Sequence, residues 1–441
     1  MIPRKKDPNL LNMFSHFEDI LNHTHPLFTL AQKVRWSIFE EAFLPLYSQD
    51  AGRPAKSIRL MVGLLILKHI RNVSDESVVE QWSENNYYQY FCGETSFVAG
   101  VPCEASELVH FRKRIGETGI ELILKESIRI NGDDSNDSNV NIDTTVQEKN
   151  ITFPTDAKLH KKIIDKCKRI ADNEGISLRQ SYTRTLKKLS VDQRFRNHPK
   201  NKAKAKKADK KVKTIAGRLV REIERNLAPR SIYQIDLDLF KRILAQTKQS
   251  INKIYSLHEP DVCCISKGKD HKKYEFGNKA SIVKTDTGVI VGALGFRNEY
   301  DGHTLEPALE QVLRLTGQLP KKAKVDRGYR GKKQIGQTEI MIPSTPKKSD
   351  TYYQRNKLSK AHKKRAAIEP IIGHIKADHR LNRNFYKGIV GDNINIMLAA
   401  AAFNFKRMMN KWKSSFLLYF KKLFSSIFDF IIFTNKINWS F

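Results

Sequence analysis

The chain of 441 residues holds no uncharged apolar run approaching the roughly 18 residues that a membrane-spanning helix needs. Near its C-terminus Phe416, Phe420, Leu423, Phe424, Ile427, Phe428 and Ile431 recur at helical spacing, but Lys421, Lys422 and Asp429 interrupt them. That pattern favours, over a span, an amphipathic helix over 413–441 packed on the core or on another subunit. The segment from Met1 to Asn9 is basic and polar with no apolar centre, so no signal peptide is expected. Cysteine is scarce: Cys92, Cys103, Cys167, Cys263 and Cys264 include no Cys-x-x-Cys pair, and adjacent thiols are poorly spaced for a metal. An odd number of cysteines without a leader predicts reduced thiols in a cytoplasm, with Cys263 and Cys264 packed inside a strand-like run from Val262 to Ile265. No internal repeat is present. Acids are also short, 47 against 78 basic residues, for a net charge of +31. Such a balance favours a polyanionic partner, nucleic acid first, over a membrane surface or an ordinary basic protein.

The length allows two or three domains. Residues 1–135 read as mostly helical. Gly52-Arg53-Pro54 breaks the chain, and Ser57 caps a helix through Leu60, Leu64, Leu65, Leu67 and Lys68. Ser74, with Asp75 and Glu76, starts a second helix bearing Val78, Val79 and Trp82. Ser106 and Glu107 start a third, with Leu108, Phe111 and Ile115 on one face and Arg112, Lys113 and Arg114 on the other. By pattern alone these helices suit a helix-turn-helix DNA reader and a bundle with solvated lysines equally.

A polar linker, 131–138, leads to a strand from Val140 to Val146, a turn at Glu148-Lys149-Asn150 and a short strand from Ile151 to Phe153 that Pro154 ends. Residues 157–256 then read as helical. Their middle is densely basic, with Lys204, Lys206 and Lys207 among many cations and Asp209 as the lone acid from Arg194 to Lys213. This run is either a solvated or disordered arm, or a helical insertion gripping a DNA backbone. The basic run Lys267, Lys269, His271, Lys272 and Lys273 either lines a DNA channel or forms a solvated loop. Strands return at Tyr274 to Thr285 and Gly288 to Phe296 around an Asp286-Thr287-Gly288 turn. A helix from Thr304 to Leu315 follows, then a strand ending at Asp326, another from Glu339 to Ile342, and a helix from about Lys360 to Asp378.

Three carboxylates stand out. Asp143 ends the alternating run Val140-Asn141-Ile142-Asp143, and Asp326 ends Ala323-Lys324-Val325-Asp326 before Arg327-Gly328-Tyr329-Arg330-Gly331. Glu369 lies on a basic helix, four residues after Arg365 and seven before Lys376. Two strand-end aspartates and a helix glutamate can hold two magnesium ions for phosphoryl transfer. Arg365 and Lys376 read as phosphate ligands, or as partners in a helix salt bridge worth about 0.3–0.5 kcal/mol. Gly328 and Gly331 allow a tight turn in which Tyr329 stacks on a base and Arg327 and Arg330 meet phosphate; the alternative is a loop with surface arginines. The polar run from Asn298 to Thr304 either approaches the metals or caps the next helix through Asp301 or Thr304.

At these residues the chain resembles the bacterial DDE transposases of the insertion-sequence-five (IS five) group. That group's hallmark is Tyr, two residues, Arg, three residues, Glu, six residues, Lys; here Arg365, Glu369 and Lys376 keep the spacing and His362 replaces the tyrosine. An imidazole can bond a phosphate in its place. The resemblance runs from about Arg53 to about Trp412 and takes in Leu257-His258-Glu259-Pro260 and Cys264 to Lys269. It implies an α+β or α/β, ribonuclease-H-like catalytic domain over 136–412 with a long basic helical insertion, preceded by an all-helical DNA-binding domain over 1–135. It further implies Mg²⁺, with Mn²⁺ able to substitute, held by Asp143 on both ions and by Asp326 and Glu369 on one each. The implied partners are double-stranded DNA, as terminal inverted repeats and target, and further copies of the chain on that DNA, in a bacterial cytoplasm at the nucleoid and with no membrane. A nuclease of the same fold and a non-catalytic repeat-binding protein are the competing readings.

Overall fold

The structure, a computed structural model, describes residues 16–48, 52–228, 231–266, 273–297, 299–329, 331–342, 347 and 349–437, with the side chains at 357, 361, 362 and 414–437 outside the description. Arg330 and the run Lys267, Lys269, His271 and Lys272 lie outside the described residues, as do the side chain of His362 and the apolar side chains expected along the tail.

Local signals start most of the N-terminal helices, α1 (Phe17–Ile20), α2 (Pro26–Lys33), α3 (Ser37–Phe43), α4 (Ile58–Arg71), α5 (Asp75–Glu84), α6 (Asn86–Phe91) and α7 (Ala105–Ile130). The side chains of Ser57 and Ser74 accept from the amides of Leu60 and Ser77, as expected of caps. The third expected start shifts slightly, because Glu104 caps α7 in a reciprocal box with Glu107. Gly116, at φ 60°, kinks α7, a left-handed backbone that only glycine adopts cheaply.

The next strand, β1 (Asn139–Lys149), corrects the expected hairpin: it runs on through Glu148 and Lys149, and 151–153 form no strand. Lys149 tolerates the strand interior because its buried ammonium lies 3.6 Å from Glu259. Four helices follow, α8 (Asp156–Asn173), α9 (Thr183–Asp192), α10 (Pro199–Asn226) and α11 (Gln234–Ala245), then strand β2 (Cys263–Ser266). The expected hairpin is present as β3 (Tyr274–Thr285) and β4 (Ile290–Phe296), turned at Gly288 with φ +96°. The remainder is α12 (Leu305–Thr316), β5 (Lys322–Lys324), β6 (Gln334–Ile335), β7 (Thr338–Met341), α13 (Tyr352–Ala366), α14 (Ile368–Asp378), β8 (Arg383–Asn384) and α15 (Gly388–Ile437). Among the described residues, no helix is long and apolar enough to cross a membrane.

The chain forms two compact units, 1–148 with 278–441, and 149–277. The helices of 1–135 therefore share a unit with the main sheet. In that unit the mixed sheet runs β4–β3–β1–β5–β7–β6, with β8 also against β1. β1, β5 and β7 are parallel, whereas β3–β4 and β6–β7 are antiparallel. Ile394, Met397, Leu398, Ala401 and Phe405 form one buried stripe of α15, and α15 packs on α7, α4 and β4. Full burial of each large apolar side chain contributes roughly 1.5–3 kcal/mol. Side-chain amides complete the outer edge of β4. Asn404 binds both the N–H and the carbonyl of Ile290, at 2.9 and 2.8 Å. Gln311 accepts from Ala293 at 2.7 Å and Asn393 from Gly295 at 2.8 Å.

The second unit has its own core, including Ile163, Ile164 and Cys167 of α8, Val212, Ile215 and Leu219 of α10, and Phe240 and Ile243 of α11. The basic run is thus an ordered helix. α10 buries Ala205, Ala208, Val212 and Ile215 at helical spacing and exposes Lys204, Lys206, Lys207, Lys210, Lys211 and Lys213. Here β2 pairs antiparallel with the Tyr274–Gly277 end of β3. All five thiols are free; Cys263 is buried as expected, but Cys264 only half so.

Candidate active site

The parallel register brings two of the three carboxylates level. Asn141 of β1 pairs with Lys324 of β5, and both side chains bind Asp286. Side chains alternate along a strand, so two residues further on Asp143 and Asp326 lie side by side on that same face. Neither is a strand-terminal residue, contrary to expectation: Asp143 sits mid-strand in β1, and Asp326 lies two residues beyond β5. The loop after Asp326 folds back so that the Gly328 amide donates to its Oδ1 at 2.7 Å. A Cβ on Gly328 would lie 2.9 Å from that oxygen, so the turn requires glycine for space.

Burial pushes the Asp143 carboxyl up to about 6. The Arg365 guanidinium opposes that rise, Asp326 adds to it, the Thr144 amide opposes it and Glu369 adds to it. Arg365 reaches Asp143 at 3.9 Å and Glu369 at 3.2 Å. The expected single helix around these residues is instead two, α13 and α14, because Pro370 lacks the N–H that would bond Ala366 and its ring crowds that carbonyl. Glu369 lies in the first turn of α14 with its side chain 64% exposed, and Lys376 is half-buried in the last turn.

Among the described residues, no three His, Cys, Asp or Glu side chains come close enough to share a metal ion. Asp143 and Asp326 form a pair, and Glu369 is engaged by Arg365. The donors are nonetheless all hard oxygens, the set that a divalent cation such as magnesium prefers. The buried Tyr329 hydroxyl, which feels Thr144, Asp143, Asp301 and Asp326, adds a further polar oxygen beside the acids. The residues present therefore fit a divalent cation.

Several expected DNA ligands are placed differently. Tyr329 is 1% exposed and cannot stack on a base as it stands. Arg112 is buried, donating to both oxygens of Asp75 at 2.7 and 2.8 Å and lying over the Tyr386 ring, so the basic face of α7 reduces to the exposed Lys113 and Arg114. Arg114 covers the Tyr47 ring. Arg327 is exposed beside Asp326. In the second unit Lys204 pairs with Asp192 at 3.0 Å, while Lys206 and Lys207 face solvent.

Sequence reasoning left Asp301 undecided between a cap and a neighbour of the site. Neither it nor Thr304 caps α12 through its side chain. Asp301 instead accepts from the Thr144 hydroxyl at 3.1 Å and from Lys279 at 2.9 Å. Its position in a polar run between a strand and a helix was the available signal; Thr144 and Lys279 carried none.

Comparison with known proteins adds an independent line. Residues 15–114 match the family described as Transposase domain (DUF772), and residues 261–405 match Transposase DDE domain. Asp326 and Glu369 fall in the second segment, and Asp143 falls between the two. An uncharacterized protein of Rhizobium meliloti, ORF8 in the nfe locus, is 45% identical over 184 residues, 41% of this chain and 88% of that protein. No solved structure matches the chain.

Proposed function

Given that the chain belongs to the DDE transposases, enzymes of DNA transposition and recombination that act on DNA with divalent metals, we propose that it binds the terminal inverted repeats of an insertion sequence, cuts at the element ends and joins the 3′ hydroxyls to target DNA. The observation that carries this reading is the β1–β5 register, which sets Asp143 beside Asp326 with Arg365 and Glu369 at hand. The finer assignment to the insertion-sequence-five group rests on the spacing of Arg365, Glu369 and Lys376. A ribonuclease-H-like core is supported by the strand order, an antiparallel half (β4–β3) beside β1 and a parallel half (β5–β7) beyond it. The functional divisions we assign are a DNA-binding segment over 1–135, a catalytic segment over 136–412 with the insertion, and a tail over 413–441.

In this mechanism Asp143, Asp326 and Glu369 hold magnesium, or manganese in its place. A bound divalent cation supplies Lewis acidity, favouring the attacking oxygen's ionised form and the charge on the leaving 3′ oxygen. Arg365 of α13, released from Glu369, presents a planar fork to the scissile phosphate, and Lys376 offers a second cation on α14. Arg327 lies on the loop beside Asp326, with the Tyr329 hydroxyl buried near the acids. Lys113, Arg114, Lys206 and Lys207 hold DNA backbone away from the chemistry. Pairing two element ends calls for at least two copies of the chain on the nucleoid DNA.

The test is incubation of the protein with labelled element-end DNA and a target plasmid, with and without Mg²⁺. Metal-dependent joined product is expected, and Asp143→Asn, Asp326→Asn and Glu369→Gln should each abolish it while leaving repeat binding intact. Cleavage without joining would assign a nuclease, and binding with neither would assign a repeat-binding protein.

A further inference from the structure

We propose that Asp301 is a positioning residue of the carboxylate site: it holds the Lys279 ammonium and the Thr144 hydroxyl, leaving Asp143 and Asp326 their charge for a divalent cation. This rests on the reading of those two aspartates as metal ligands.

Two elements deliver the cation and the hydroxyl to one oxygen. Lys279 lies on β3, the strand beside β1, and donates to Asp301 Oδ1 at 2.9 Å and to the Glu299 carbonyl at 2.8 Å. Thr144 follows Asp143 on β1, and its hydroxyl donates to the same Oδ1 at 3.1 Å. The other oxygen of Asp301 lies on the side of Asp326. A Cβ built on Gly328 would lie 3.5 Å from Asp301 Oδ2 and 2.9 Å from Asp326 Oδ1, so both carboxylates border the same small space. Asp301 thus stands between a cation and the two acids that a metal would need.

The arrangement has an electrostatic consequence. Lys279 and Asp301 are both largely shielded from water, with side chains 21% and 28% exposed, so their charges act over short range with little screening. An ammonium on a four-carbon stem re-aims readily. Without a charge at residue 301, the Lys279 ammonium loses its carboxylate partner, and its uncompensated charge opposes a divalent cation bound beside it. Asparagine at residue 301 is the discriminating change. Its amide oxygen can still accept from Thr144, so the hydrogen bond survives, but it cannot neutralise Lys279.

The experiment is Mn²⁺ binding to the full chain, measured by calorimetry, for the parent, Asp301→Asn, Lys279→Met and the double variant. We expect Asp301→Asn to bind Mn²⁺ about tenfold more weakly or worse, Lys279→Met to bind at least as tightly as the parent, and the double variant to return to within about threefold of it. Unchanged binding in Asp301→Asn, weakened binding in Lys279→Met, or a double variant as weak as Asp301→Asn would each overturn the proposal. Should Asp301→Asn fail to fold, Lys279→Met decides alone. A parent that binds no Mn²⁺, or binds it equally well as Asp143→Asn, would instead overturn the metal-ligand reading beneath the proposal, and the proposal with it.

Discussion

Replacing Asp143 by asparagine should stabilise the metal-free protein at neutral pH. Burial raises this carboxyl to about 6 from the ordinary aspartate value of 3.8, so the folded chain holds its proton over a range where the unfolded chain has released it. Below the unfolded value both states are protonated and the site costs nothing. As pH rises through the window between the two values, folded-state stability falls, and above it the ionised carboxylate costs the fold about 3 kcal/mol. Asparagine keeps an oxygen for the Thr144 amide, bonded at 2.8 Å, and removes the charge. The value of about 6 already includes the opposing pull of Arg365, 3.9 Å away, so the expected advantage is about 3 kcal/mol at most. The assay is urea unfolding of both proteins in chelator, at about pH 4 and about pH 7.5, then at the higher pH with Mn²⁺. The gap should be near zero in acid, open at neutral pH in favour of the variant, and close or invert with metal, which binds only the parent's folded state. A variant less stable than the parent at neutral pH without metal, or a gap that ignores pH, would refute the reasoning.

Arg112→Met should lower folding stability by about 1.5–3 kcal/mol, because Asp75 loses its bidentate partner and keeps only Lys68 at 2.8 Å, while DNA affinity per folded molecule stays unchanged. Thermal melting and a filter-binding titration read the two effects. Gly328→Ala forces a Cβ to within 2.9 Å of Asp326 Oδ1 and should slow strand cleavage about 10–100-fold without unfolding the chain, as circular dichroism would show. Neutralising Lys206, Lys207 and Lys210 together should flatten the slope of log affinity against log salt by about 2–3, and an unchanged slope would mean these lysines never meet phosphate.

Much of the architecture was legible where one local signal dominates. The serine caps at 57 and 74 and the glycine turn at 288 each demand a specific backbone, and each appears as expected. Two of the failures share a cause: a charged side chain whose partner is distant in sequence. Lys149 looked like a turn residue because Glu259, which lets it enter a strand, lies far along the chain. Arg112 looked exposed because Asp75 precedes it by more than a helix. Tyr329 looked available for stacking because nothing local says that its ring fills the space behind the acids. At the candidate site, the sequence named Asp143, Asp326 and Glu369 as an expectation, from two apolar runs that each lead to an aspartate and from a basic helix. The role of Asp301 was not readable, because it depends on Lys279 from a neighbouring strand.

The amide-lined edge of β4 bears on how copies of this chain can meet. A sheet that ends in open N–H groups invites a neighbouring chain to add a strand, the first step of uncontrolled association. Here Asn404, Gln311 and Asn393 occupy those groups at Ile290, Ala293 and Gly295, in effect an extra strand assembled from helix side chains. That edge is closed to zippering, so a protein crowded along a shared polymer keeps its sheets to itself. Leucine in place of Asn404 would reopen it and leave the chain more prone to aggregate.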